Sequence, residues 1–198
     1  MSQRISRDEL LDALRACVLR VGVRRTTFAE VARLAGVSRM TLYRNFGDVG
    51  SAVAQLMTRE FSALLEAAHR DVAALPTARA RLVEGAALVV ERLSDHALFR
   101  RVLDIDPELL LPYIFDRLGA TQRAAIARFA QTIAEGQAEG SIRADVAPEL
   151  AAYVLELAGQ SFALSARVTE AQHKPAEVTA ELRVLLDAYL RPAEAAVT

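Results

Sequence analysis

An all-α fold is predicted for this 198-residue chain from three observations. Apolar residues recur at helical spacing along nearly its whole length. No long segment alternates apolar and polar side chains as a half-buried strand would. The strong helix formers Ala and Leu dominate the composition. At 53% hydrophobic and 25% charged residues, the chain can bury a real core and does not resemble a disordered one.

The first helix is expected from Arg7 to Val21, with Leu10, Leu11, Leu14, Val18 and Val21 as its apolar stripe and Gly22 as its stop. A second opens at Thr27, where Thr27-Phe28-Ala29-Glu30 has the form of a capping box, and closes near Ala35. Ser38 caps a short third helix reaching about Asn45. Gly47 breaks the chain, and Asp48 caps a long fourth helix in which Val53, Leu56, Met57, Phe61, Leu64 and Leu65 recur towards Val72. After Pro76, helices are expected at about 78–93, 96–104, 109–117 and 120–138, with Pro107 and Pro112 able to start or kink one. The turn Glu139-Gly140-Ser141 precedes two longer helices, at about 148–167 and 175–190. The expected division is a head at 1–50, a body at 51–191 and a flexible tail at 192–198, with the fourth helix belonging partly to both head and body.

Charge separates head from body. The formal net charge is only -1, yet residues 1–60 carry ten basic and six acidic side chains, and the rest carry fourteen and nineteen. A basic head on an acidic body permits nucleic-acid contact through the head alone. The lone Cys17 sits among Leu14, Val18 and Leu19 and reads as a core residue. Neither it nor the scattered His69, His96 and His173 make a metal site, and no metal or other cofactor is expected. Asp104, Asp106 and Glu108 form an acidic run, but spacing alone supplies no cleft and no catalytic residue is expected. No apolar run reaches the roughly 18 residues of a membrane span, and no secretory signal opens the chain, so a cytoplasmic protein without a membrane partner is expected.

The strongest motif is TFAEVARLAGVSRMTLYRNF, residues Thr27 to Phe46. Two short helices meet at Ala35-Gly36-Val37-Ser38. Val31, Ala32 and Ala35 can pack against Val37, Leu42 and Phe46, with the first helix as third support: the spacing of a helix-turn-helix. If Leu42 and Phe46 face inward, then Ser38, Arg39, Met40 and Arg44 face solvent or double-stranded DNA. An Arg39 or Arg44 guanidinium can pair bidentately with guanine, and Met40 or the Thr41 methyl can meet a thymine methyl. Tyr43 suits a phosphate, as do Arg24, Arg25 and the helix N-terminus at Thr27.

Residues about 7–53 resemble the DNA-binding region of the TetR family of bacterial transcriptional regulators. Phe28-Ala29-Glu30-Val31-Ala32, Ala35-Gly36-Val37-Ser38, Thr41-Leu42-Tyr43 and Phe46 carry the likeness. The chain departs from the family's pattern at Met40, where a small residue is common, at Val49, where lysine is common, and at Ala52, where leucine is. The missing lysine removes a phosphate contact. The resemblance implies a helical body that binds a small-molecule effector, dimerises, and acts as a repressor on an inverted-repeat operator. Met57, Phe61, Leu64, Leu88, His96, Phe99, Leu103, Tyr113, Phe115, Phe129, Gln160 and Phe162 are the side chains expected to meet a largely apolar effector. Leu150, Val154, Leu157, Ala158, Ser161 and Leu164, with Val178, Leu182, Leu185, Leu186 and Tyr189, are expected to form a homodimer surface through the last two helices. Two other readings stand beside this one: a helical adaptor without specific DNA recognition, and an enzyme of unknown reaction.

Overall fold

A computed structural model describes residues 5–193. All its regular structure is helical: α1 (Arg7–Val21), α2 (Phe28–Ala35), α3 (Arg39–Phe46), α4 (Val49–Val72), α5 (Ala78–Asp95), α6 (Ala97–Ile105), α7 (Leu111–Phe115), α8 (Ala120–Ala138), α9 (Pro148–Glu170) and α10 (Pro175–Leu190). Residues 194–198 of the expected tail lie outside the described residues. The helix expected at 109–117 is instead a 3-10 turn, Pro107–Leu109, followed by the short α7. Pro107 and Pro112 each stand near the start of one of these pieces, where a missing N–H costs nothing.

The chain divides into two compact units. One takes in the described residues up to Phe61 together with Asp95–Arg117, and the other Ser62–Ser94 and the described residues from Leu118 onward. α4 runs through the division. In the first unit α1 packs on α2, α2 on α3, and α6 on α1. Leu10, Leu14, Cys17, Val18, Phe28, Val31, Leu42, Phe46, Leu56, Leu98 and Val102 form its core. Val49, at the family's lysine position, is half-buried against this core, and Ala52 is wholly buried.

In the second unit α8 and α9 make the most extensive packing, over a core of Ala78, Leu82, Ala86, Val90, Ile133, Ile142, Ala151, Ala152, Leu155, Leu182, Leu186 and Leu190. The apolar stripe of α10 therefore splits. Leu182 and Leu186 are core residues, while Leu185 is 49% exposed beside Val184 at 61%. On α9, Leu150, Val154 and Leu157 stay exposed on one face, with Val168 further along it.

Helix ends explain much of the local order. Ser6 and Glu9 make the full capping box of α1, which the sequence analysis did not identify. The box expected at Thr27 is only half made. Thr27 Oγ1 accepts the Glu30 N–H at 3.3 Å, but the Glu30 carboxylate is drawn to Arg33 Nη2 at 2.8 Å and to Arg20. Two guanidiniums outcompete one neutral N–H for the same oxygens. Arg33 and Arg20 hold the Glu30 carboxyl down at about 2.

Candidate nucleic-acid interface

The turn that sets α3 against α2 depends on Gly36. Its φ of +65° is left-handed, and a Cβ there would meet nothing within 4 Å, so conformation rather than space demands glycine. Ser38 then caps α3: its Oγ accepts the Thr41 N–H at 3.2 Å and lies 3.0 Å from Thr41 Oγ1. Leu42 and Phe46, one turn apart, point into the core, and Arg7 stacks its guanidinium over the Phe46 ring at 5.4 Å.

That anchoring leaves Arg39, Met40, Tyr43 and Arg44 outward. Met40 is 70% exposed, a position without a core role. Arg39 and Arg44 are exposed and form no ion pair with any described residue. Tyr43 divides itself: half its surface is exposed, while its ring meets the buried Phe28 edge-on at 5.0 Å. The ring is thus held by α2 and the hydroxyl remains at the surface. Asn45 donates to the Thr41 carbonyl at 2.7 Å, stiffening the same short helix.

The flanking cations differ. Arg25 is exposed, whereas Arg24 reaches Glu108 at 2.6 Å. At the start of α4, Asp48 accepts from Ser51 N at 2.7 Å and Ser51 Oγ at 3.0 Å, so its own carboxylate occupies that helix end. The turn before α2 is fixed by a residue that in the sequence stood only as one of an acidic run. Asp106, wholly buried at the end of α6, accepts the Val23 N–H at 2.7 Å. Arg101, also on α6, donates to the Arg20 carbonyl at 2.9 Å. Gly22 makes the approach possible: a Cβ there would stand 2.8 Å from Ile105 Cγ2.

The residues expected to meet an effector fall into separate groups. In the first unit Phe61 stacks edge-on against His96 at 5.8 Å and Phe99 at 5.9 Å. His96 Nε2 lies 3.6 Å from Glu60 Oε2, and burial, more than Glu60 offsets, holds His96 below the ordinary histidine range. Its Nδ1 is buried without a partner. Met57 is half-buried against the first core, and Leu103 is half-buried on α6. Tyr113 carries Arg117 over its ring at 5.3 Å, and Phe115 is 77% exposed. In the second unit Leu64 and Leu88 are half-buried, and Phe129 and Phe162 pack against the core. Gln160 accepts from Gln122 Nε2 at 2.7 Å. One turn before it on α9, Glu156 also bonds Gln122, leaves Oε2 buried without a partner, and is pushed up by desolvation. Sequence reading missed Glu156; its place among inward-facing Ala152, Leu155 and Ala163 was the available signal. No group of metal-ligating side chains occurs among the described residues, and no helix there is long and apolar enough to cross a membrane.

A family model described as bacterial regulatory proteins, tetR family, matches residues 10–48. An uncharacterized HTH-type transcriptional regulator of Mycobacterium tuberculosis is 36% identical over 181 residues, which is 91% of this chain and 92% of that protein. Among solved structures, FadR from Bacillus subtilis in complex with stearoyl-CoA superposes with a TM-score of 0.71 at 15% identity, covering 94% of this chain and all of that one. SmeT, the repressor of the Stenotrophomonas maltophilia multidrug efflux pump SmeDEF, gives 0.65 at 19%, covering 95% and 91%. At such identities the two structures share the fold.

Proposed function

Because the chain belongs to the TetR family of bacterial regulatory proteins, and is thereby a sequence-specific DNA-binding transcriptional regulator, we propose that it is a repressor released from its operator by a small, largely apolar effector. The observation that carries the reading is the division of α3: Leu42 and Phe46 buried, Arg39, Met40, Tyr43 and Arg44 displayed. Residues 1–50 are the DNA-binding part, and residues 51–191 bind the effector and dimerise.

Arg39 and Met40, at the start of α3, read bases, with Arg44 and Thr41 beside them; Tyr43, Ser38, Thr27, Arg24 and Arg25 meet the backbone. One short helix reads too few bases for a unique site, so two copies act together on an inverted repeat, their α3 helices about 34–36 Å apart. The exposed Leu150, Val154 and Leu157 of α9, with Leu185 of α10, supply the surface between copies. Phe61, with the rings of His96 and Phe99 against it, forms with them one group of effector contacts, and Gln160 is a polar contact in its own unit. The complex of FadR with stearoyl-CoA supports an effector with a long apolar portion.

Selection of bound duplexes from random DNA by the purified protein tests the whole reading. A palindromic motif and a dimeric mass by light scattering are expected. A monomer, or a strong site without symmetry, refutes the assembly. An effector must bind roughly 5–150-fold more weakly when operator is present.

A further inference from the structure

Arg24 stands in the turn just before the residues placed against phosphate, yet it is already engaged. Its Nη2 lies 2.6 Å from Glu108 Oε1 and its Nε 3.8 Å from Asp106 Oδ1. The two carboxylates do different things. Asp106 is inaccessible to solvent and accepts the backbone N–H of Val23 at 2.7 Å and of Arg24 at 3.4 Å, so it fixes the turn. Glu108 is partly exposed and is held to Arg24 by charge rather than by an aligned hydrogen bond. Carboxylate and phosphate oxygens offer a guanidinium the same charge and the same acceptors. The Arg24 side chain is 68% exposed, so it can swing towards a phosphate while Asp106 keeps the backbone in place.

We propose that Glu108 is an intramolecular stand-in for DNA phosphate, which occupies Arg24 in the free protein and must surrender it when the operator binds. The segment after α6, far along the chain from the helix-turn-helix, thereby sets how tightly the head binds any duplex. The inference rests on the reading of Arg24 as a backbone contact. Because the competition concerns phosphate alone, it lowers affinity for all sequences alike and leaves the preferred motif unchanged.

Fluorescence anisotropy at fixed salt tests it, with the selected duplex and an unrelated one as probes. The proteins are the wild type, Glu108→Gln, Arg24→Gln, the double variant, and Asp116→Asn as an equal change of charge in the same unit. Glu108→Gln should tighten both duplexes roughly two- to fivefold, the effect of a surface ion pair. Arg24→Gln should weaken both. In its presence Glu108→Gln should do nothing, and Asp116→Asn should do nothing. If Arg24→Gln weakens binding but Glu108→Gln leaves it unchanged, the competition is absent while the DNA-contact reading survives. If Arg24→Gln leaves affinity unchanged, both fall. An equal gain from Glu108→Gln without Arg24, or from Asp116→Asn, would show general repulsion and overturn the proposal. Thermal melts confirm that each variant is folded.

Discussion

Asp106 and Glu156 are both inward-facing acids, one just past the end of α6 and the other within α9, and they are treated in opposite ways. Asp106 meets backbone N–H groups at a turn whose glycine lets α6 come close, and it is satisfied although no solvent reaches it. Glu156 has a side-chain amide on one side and an orphaned oxygen on the other, and burial opposes its charge. A buried carboxylate with donors is a clamp, and one without them is a cost in the folded state. The first unit uses its buried acid to hold the turn before α2. The second carries one whose removal the fold would welcome.

The sharpest way to break this contrast is Asp106→Ala. It strands the Val23 N–H, and a loss of about 3 kcal/mol is expected in urea denaturation, with Asp106→Asn losing about half as much because one acceptor remains. Little change would mean that the turn holds itself. Gly22→Ala attacks the same clamp from the other side: a φ of +84° and a close Ile105 together should cost about 2 kcal/mol, against about 1 kcal/mol for Gly36→Ala, where only the φ is at issue. Equal losses at the two glycines would show that Ile105 moves aside.

Glu156→Gln should have the opposite sign, stabilising the protein at neutral pH by about 1 kcal/mol. Its carboxyl titrates above the ordinary glutamate value in the folded chain, so the folded state holds its proton longer than the unfolded one. Wild-type stability should therefore fall as pH rises through that window, and the advantage of the amide should vanish below it. Urea midpoints across the mildly acidic range would show it, and a variant that destabilises at pH 7 would refute the orphaned-oxygen account. The smallest effect is expected at half-exposed Glu30. Held at about 2 by Arg33 and Arg20, it adds stability above the ordinary value of 4.5 that is lost as pH falls towards 2. Glu30→Gln should flatten that acid limb, giving up at pH 7 the small, solvent-screened increment that the wild type loses only in acid.

The parts that sequence made legible are those governed by neighbours along the chain. Helical spacing and end residues located α1 to α4, and the short motif from Thr27 to Phe46 separated the buried Leu42 and Phe46 from the displayed Arg39, Met40 and Arg44. What escaped was decided by distant partners. Nothing near Asp106 announces that Val23 will meet it, so it read as one acid in a run of three. Glu30 fitted a capping box locally and was taken by Arg20 and Arg33 instead. The stripe of α10 was visible, but periodicity could not say that Leu182 and Leu186 turn inward while Leu185 does not. At the candidate interface, Arg24 was recognised as a cation near DNA, while its engagement by Glu108 required the fold.

The single cysteine adds an experimental consequence. Cys17 is inaccessible to solvent, packed in the core that supports the helix-turn-helix, and it is the only thiol in the chain. A thiol-reactive dye should find nothing to modify while that core is closed, so its rate of attachment counts the openings of the head. The protein carries its own stopwatch for local unfolding, readable with and without operator and needing no engineered label.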